Sequence, residues 1–206
     1  HALCYKLKLS KKIDNLLCIP GNAGTKNIAQ NIAADINNFE ALHKIFLKKK
    51  IDLIVVGPEN PLVNGIVDFF IKKKIKIFGP NRVASQLEGS KSFLKSLCKK
   101  NNIPTANFAI INNLNEAKKF IFKNKFPIVV KADGLAGGKG VSICQTKDQT
   151  IKACNEILSG KFKSSSKVVL EEFLDGEEMS YFLIVDKNTH KFFGSAQDHK
   201  KVGEND

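Results

Sequence analysis

Apolar positions change their rhythm partway along this chain. In the first stretch, short apolar runs alternate with segments of helical spacing. "NLLCIP" (15–20) predicts a strand, and "NFEALHKIFLKKK" (38–50) sets Phe39, Leu42, Ile45 and Phe46 on one helix face. "IDLIVVGPE" (51–59) is nearly all apolar and rich in β-branched residues, the pattern of a strand buried on both faces. Asn60 and Pro61 then predict a helix cap and a first-turn proline, with Leu62, Ile66, Phe69 and Phe70 turned inward. "IKIFGP" (75–80) is a further strand. Strands separated by helices of this length imply βαβ crossovers and a parallel sheet.

A boundary falls near residues 88–105, and an α+β rhythm follows. "SKSFLKSLCKKNNIP" (90–104) reads as a helix and turn, and "NFAIIN" (107–112) as a strand. "NLNEAKKFIFKN" (113–124) opens with Asn113 and Glu116 in a capping-box-like arrangement and buries Leu114, Ala117 and Ile121. Strands at 127–132 and 141–146 flank a glycine-rich turn, and a helix covers 148–158. Three late strands in succession, at 167–173, 179–186 and 191–196, point to antiparallel pairing.

Composition adds limits. The 206 residues carry a formal net charge of +13, which raises the possibility of nucleic-acid binding. Arg82 is the single arginine, however, and the lysines lack interleaved aromatics. They read as a solvated surface, so no nucleic-acid partner is expected. No apolar run nears the roughly 20 residues of a membrane span, no signal-peptide pattern opens the chain, and no membrane partner is expected. Cys4, Cys18, Cys98, Cys144 and Cys154 are scattered without metal-binding spacing. Most lie among apolar neighbours, as buried free thiols in a reducing cytoplasm would. No metal ligands are assigned. The chain opens on His1 within a helix-like segment, "HALCYKLKL", and stops at the polar "KKVGEND", so a fragment is expected.

Candidate chemistry sits in loops. "IPGNAGT" (19–25), with Gly21, Asn22, Gly24 and Thr25, and "VGPEN" (56–60), with Gly57, Pro58 and Glu59, lie at strand ends. In parallel sheets ligands bind beyond the carboxyl ends of the strands, although both loops could equally be turns. The stretch "FPIVVKADGLAGGKGVSICQT" (126–146) sets Lys131 before a turn containing Gly134, Gly137, Gly138, Lys139 and Gly140. It is not a P-loop: three residues stand between Gly134 and Gly138 where four are needed, and Gly140 replaces the hydroxyl residue. The segment after it alternates like a strand. A hairpin flap is expected, whose N–H groups and two lysines suit polyphosphate, although the segment by itself could also be a flexible surface loop with solvated lysines. Downstream, "VVLEEFLDGEEMS" (168–180) runs an apolar strand into Glu171 and Glu172, with Glu177 and Glu178 beyond. Two acids directly after an apolar run are costly to bury without partners.

On these residues the chain resembles the ATP-grasp superfamily. The adenine hinge of that superfamily has an acid, a carbonyl-giving residue, an apolar N–H donor and a ribose-binding acid. Glu171, Glu172, Leu174 and Glu178 match that spacing. Its two phosphate lysines match Lys91 and Lys131, and its flap matches the hairpin bearing Lys139. The ordered set "PGNAGT", "IDLIVVGPENPLV", "KIFGP", "QLEGSK", "IPTA", "VVKADGLAGGKGV", "EEFLDGEE", "QDHK" is similar to the phosphoribosylamine–glycine ligase family, also called glycinamide ribonucleotide synthetases.

The resemblance implies a partial Rossmann-like (pre-ATP-grasp) α/β domain with a parallel sheet over 1–92. An incomplete α+β ATP-grasp domain would cover 93–206, with a small lobe at about 108–173 and the start of a large lobe at 174–206. It implies ATP-dependent joining of glycine to 5-phosphoribosylamine through glycyl phosphate, in purine biosynthesis. Glycinamide ribonucleotide, ADP and phosphate would be the products. Lys91, Lys131 and the flap would hold the phosphates. Glu171, Glu172 and Leu174 would read adenine, and Glu178 the ribose. The loops at 21–25 and 57–59, with Asp198, His199 and Lys200, would contact phosphoribosylamine or glycine. The family also uses Mg²⁺ or Mn²⁺, with protein ligands expected beyond "VGEND", so this chain alone is expected to be inactive. Another ATP-grasp ligase, such as a carboxyaminoimidazole ribonucleotide synthetase or a biotin carboxylase relative, is the nearest alternative. A basic nucleic-acid-binding module is the distant one.

Overall fold

The structure is a computed structural model that describes every residue except Gly138, Lys163, Ser164, Ser166, 200–202 and 204–206. The first half comprises α1 (Ala2–Lys8), β1 (Leu17–Cys18), a 3₁₀ turn (Thr25–Asn27), β2 (Gln30–Asn31) and α2 (Phe39–Lys49). Then come β3 (Ile54–Val55), α3 (Glu59–Val63), α4 (Ile66–Lys72), β4 (Ile77–Phe78) and α5 (Gln86–Gly89). β1 pairs with β2 and β3 with β4, both parallel; β3 and β4 are joined through α3 and α4 as the βαβ reading requires, whereas β2 was not expected and follows β1 through the 3₁₀ turn alone. The pairs form separate two-stranded sheets rather than the one sheet expected.

Helix α2 begins where the side chain of Asn38 accepts the Ala41 N–H (3.0 Å) and ends at Lys50, which adopts a left-handed conformation. Its Leu42 joins Ile66, Val67 and Phe70 in a core flanked by Phe39, Phe46, Leu62 and Phe69. Three details depart from expectation. The 51–59 run is not buried on both faces: its pairing is confined to Ile54 and Val55, and Leu53 remains in solvent. The following helix is capped at Pro58, not Asn60, and Pro61 is its third residue, within the first turn as expected. That helix also breaks at Gly65, whose φ of +93° suits glycine and ends α3 before α4 begins.

The second half comprises α6 (Lys91–Lys100), β5 (Phe108–Ile111), α7 (Leu114–Lys123), β6 (Ile128–Ala132), β7 (Val141–Cys144) and α8 (Lys147–Leu158). β8 (Val168–Glu172), β9 (Glu178–Val185) and β10 (His190–Asp198) complete it. Asn113 caps α7 by accepting the Glu116 N–H (3.0 Å). Glu116 reaches back one residue further than a capping box requires, to the Asn112 N–H (2.8 Å). Ala117, Phe120 and Ile121 of α7 and Cys154 and Ile157 of α8 pack on one face of a four-stranded sheet.

That sheet has the order β5-β8-β6-β7 and is antiparallel throughout. β8, the last of its strands in sequence, therefore lies inside it. The three late strands do not pair as a series: β8 leaves for the sheet, while β9 and β10 form their own antiparallel ribbon, bulged at Phe193. A central position explains why Val168, Val169 and Leu170 are all fully buried. Val168 and Leu170 face the helices. By alternation Val169 and Glu171 face the other way, with their cross-strand partners Lys131, Val129 and Phe108.

Candidate active site

On that second face Glu171 is buried, and it is paired. Its Oε2 accepts from Lys131 Nζ at 2.9 Å and lies 3.1 Å from Lys95 Nζ. Its Oε1 has no hydrogen-bond partner although it is shielded from solvent. The demand read from sequence, that an acid following this run needs partners, is thus met on one oxygen and left open on the other. Glu172, at the strand end, uses its carboxylate to accept the Asn107 N–H (2.7 Å), and its own N–H donates to the Asn107 carbonyl (2.9 Å). Leu174 lies exposed just beyond. Glu178 opens β9 and is the cross-strand partner of Asp198 at the end of β10. The expected ribose acid and the "QDHK" segment are therefore neighbours. His199 follows directly, and Lys200 lies outside the described residues.

The hairpin is anchored at its base. β6 and β7 pair from Ile128↔Cys144 to Lys131↔Val141, and Ala132 N–H donates to the Gly140 carbonyl (2.7 Å). Gly134 and Gly137 have φ of +84° and +56°. A side chain at Gly140 would meet the Ala136 methyl at 2.6 Å, so the loop closes tightly there. Lys139 is exposed on the loop, and Gly138 lies outside the described residues. Lys91, the first residue of α6, donates from Nζ to the Gly134 carbonyl (2.8 Å). The two expected phosphate lysines and the glycine loop are thus gathered around one sheet end. Burial lowers the Lys91 pKa below its ordinary value, opposed by Asp133 and Glu88 and reinforced by Lys131.

Two groups in this site were not among the expected ones. Asp133 accepts the Ser92 N–H (3.0 Å), the Ser92 hydroxyl (2.7 Å) and the Ser90 hydroxyl (3.1 Å). Burial opposes its ionised form, but these hydrogen bonds outweigh burial and hold the carboxyl below its ordinary value. Lys95 is the second. It shares the inward face of α6 with Ser92 and Cys98, and that 3.6-residue spacing was the available signal.

The first of the strand-end loops, at 19–25, is braced by its own hydrogen bonds. The Asn22 N–H donates to Thr25 Oγ1 (2.8 Å), the Thr25 N–H to Asn22 Oδ1 (3.0 Å), and the Asn31 amide to the Asn22 carbonyl (2.9 Å). Thr25 is buried by this network, its hydroxyl 2.8 Å from Asn31 Oδ1. Gly21 has φ of +80°, and a side chain there would collide with Asn31. Gly24 abuts the His1 ring and Gly57 lies near Leu3, so both loops flank the start of α1. Pro58 and Glu59 begin α3. Among the described residues no group of three or more His, Cys, Asp or Glu is placed to hold a metal ion. Nor is any described helix long and apolar enough to cross a membrane.

Comparison with known proteins extends the picture. Residues 1–88 match the family "Phosphoribosylglycinamide synthetase, N domain", and residues 89–206 match "Phosphoribosylglycinamide synthetase, ATP-grasp (A) domain". The chain is 45% identical over its whole length to a phosphoribosylamine–glycine ligase of Mesorhizobium japonicum, covering 49% of that protein. It spans about half the length of the curated relatives it matches. Among solved structures it resembles the phosphoribosylamine–glycine ligase of Thermotoga maritima, with 30% identity and a TM-score of 0.73 over 92% of this chain and 45% of that one. It also shares its fold with the biotin carboxylase of Campylobacter jejuni, with 19% identity and a TM-score of 0.77 over 95% of this chain and 48% of that one. The two family matches together span the chain from end to end, and the chain belongs to the phosphoribosylglycinamide synthetase family.

Proposed function

We propose that this chain supplies the ATP-gripping lobe and the phosphoribosylamine-binding region of a phosphoribosylamine–glycine ligase. The reaction joins glycine to 5-phosphoribosylamine in purine biosynthesis, consuming ATP and releasing ADP and phosphate. A carboxylate is a poor acyl donor; phosphorylation to glycyl phosphate makes phosphate the leaving group when the ribosylamine nitrogen attacks.

One observation carries the reading: the buried, unpartnered Oε1 of Glu171 at the end of a central strand, beside Lys131. An unsatisfied buried acceptor calls for a donor, and the adenine amino group is one. The Glu172 carbonyl and Leu174 N–H complete the adenine edge, and Glu178 takes the ribose hydroxyls. Lys91, Lys131 and Lys139 neutralise phosphate charge as it shifts. The hairpin at 134–140, with Gly134, Gly137, Gly138 and Gly140, closes over the phosphates and excludes the water that would hydrolyse the acyl phosphate.

Gly21, Asn22, Gly24 and Thr25, with Gly57, Pro58 and Glu59, form the phosphoribosylamine side, and Asp198, His199 and Lys200 the glycine or phosphate side. The division into domains at 1–92 and 93–206 follows the same reading. Mg²⁺ accompanies ATP in this chemistry, where it would neutralise phosphate charge; no step above depends on ligands from these residues. The setting is the cytoplasm, with small-molecule partners and no nucleic acid.

Calorimetric titration of ATP into the wild type and Lys131→Ala tests the site: the variant should bind at least about tenfold more weakly. Equal binding by both would remove Lys131 from it. For the reaction, the intact enzyme should form ADP only when glycine and phosphoribosylamine are both present; ADP formation indifferent to glycine would sink the ligase reading.

A further inference from the structure

Glu171 Oε2 receives two ammonium groups, Lys131 at 2.9 Å and Lys95 at 3.1 Å. The two are not equivalent. Lys95 has a side chain only 9% exposed; it donates to Thr105 Oγ1 (2.7 Å) and lies over the Phe108 ring, 5.6 Å from its centre. Lys131 is 28% exposed and sits at the mouth of the glycine hairpin. One carboxylate facing two cations leaves an excess positive charge, with the more exposed cation toward the open side.

We infer that Lys95 is a positioning residue: it holds the charge of Glu171 so that Lys131 can swing to a nucleotide phosphate. If Lys131 were the sole partner, its departure would strand a buried carboxylate, which is strongly unfavourable. With Lys95 fixed in place, the exchange costs little. Lys131 trades one oxygen anion for another, and Oε1 keeps its aim at the adenine edge. This inference rests on the ATP reading above.

The test compares ATP with adenosine, which lacks phosphates, by calorimetry on the wild type, Lys95→Met and Lys95→Arg. In Lys95→Met, Lys131 must stay on Glu171. ATP affinity should fall about tenfold or more while adenosine affinity changes by less than about twofold. Lys95→Arg, which keeps the charge, should restore most of the ATP preference. Equal losses for ATP and adenosine would show a merely structural role and overturn the inference while leaving the ATP site standing. A wild type that binds neither ligand would overturn the ATP reading together with the inference. If Lys95→Met fails to fold, Thr105→Val loosens Lys95 without changing charge. The ATP preference should still shrink, and an unchanged preference would count against the proposal.

Discussion

Ser92 and Asp133 lie 41 residues apart, yet the first turn of α6 and the base of the hairpin are joined through them by two hydrogen bonds, of 3.0 and 2.7 Å. The loop proposed to close over the phosphates is therefore pinned at its root to the helix that starts with Lys91. Asp133→Ala should lower stability by about 1–3 kcal/mol, because it leaves the Ser92 N–H without its acceptor. Hydrogen exchange should quicken in the segment 133–140 more than in α7 or α8. Uniform acceleration would show that the bond supports the whole lobe rather than the loop.

The same carboxylate sets a pH response. Its folded-state pKa is depressed, with burial outweighed by the Ser92 and Ser90 hydrogen bonds. The unfolded chain then binds its proton more readily than the folded one. The contribution of Asp133 is complete above the ordinary aspartate value of about 3.9 and is lost as pH falls through the lower folded-state value. Urea midpoints measured downward from pH 5 should fall more steeply in the wild type than in Asp133→Asn. Parallel curves would mean that other acids govern the loss.

Glu178 offers a test of nucleotide recognition separate from phosphate. Glu178→Gln removes the charged acceptor proposed for the ribose hydroxyls. ATP affinity should fall about tenfold, in line with a charge-assisted hydrogen bond. Binding of a 2′,3′-dideoxy analogue should be nearly unchanged by the same substitution. A loss of equal size for both nucleotides would place the ribose elsewhere.

The thiols divide by burial. Cys98, Cys144 and Cys154 are buried, and burial pushes the Cys154 thiol up to about 12. Cys4 and Cys18 are only partly covered, and burial followed by a hydrogen bond that the Cys4 thiol makes to Cys18 raises the Cys4 pKa. At pH 8 a thiol-reactive disulfide should label two cysteines in the native protein and five after denaturation. Rapid labelling of Cys144 or Cys154 would contradict the packing of α8 against the sheet, and rapid labelling of Cys98 the burial of the inward face of α6.

The local grammar of this chain was largely legible. The Asn113 cap, the hairpin around the glycines and the inward faces of α2 and α7 follow from spacing and turn chemistry. The acids after the 168–170 run announced that partners were needed. Which partners was not legible. Lysine in a helix is ordinarily solvated, and Lys95 becomes buried only because β8 enters the middle of the sheet and brings Glu171 against α6. No local period records that pairing. The break at Gly65 escaped for the opposite reason: one small residue inside an apolar helical run leaves the pattern almost intact.

The interior position of β8 also orders events in time. Its two neighbours, β5 and β6, precede it by roughly sixty and forty residues, so the sheet closes through distant contacts, which are slow to form. β6 and β7 can meet early as a local hairpin, but their lobe has no centre until the segment 168–172 arrives. Glu171 rides on that same segment. The nucleotide contacts proposed for Glu171 and completion of the lobe would therefore share one late step, and during synthesis a chain that has not yet reached β8 has neither.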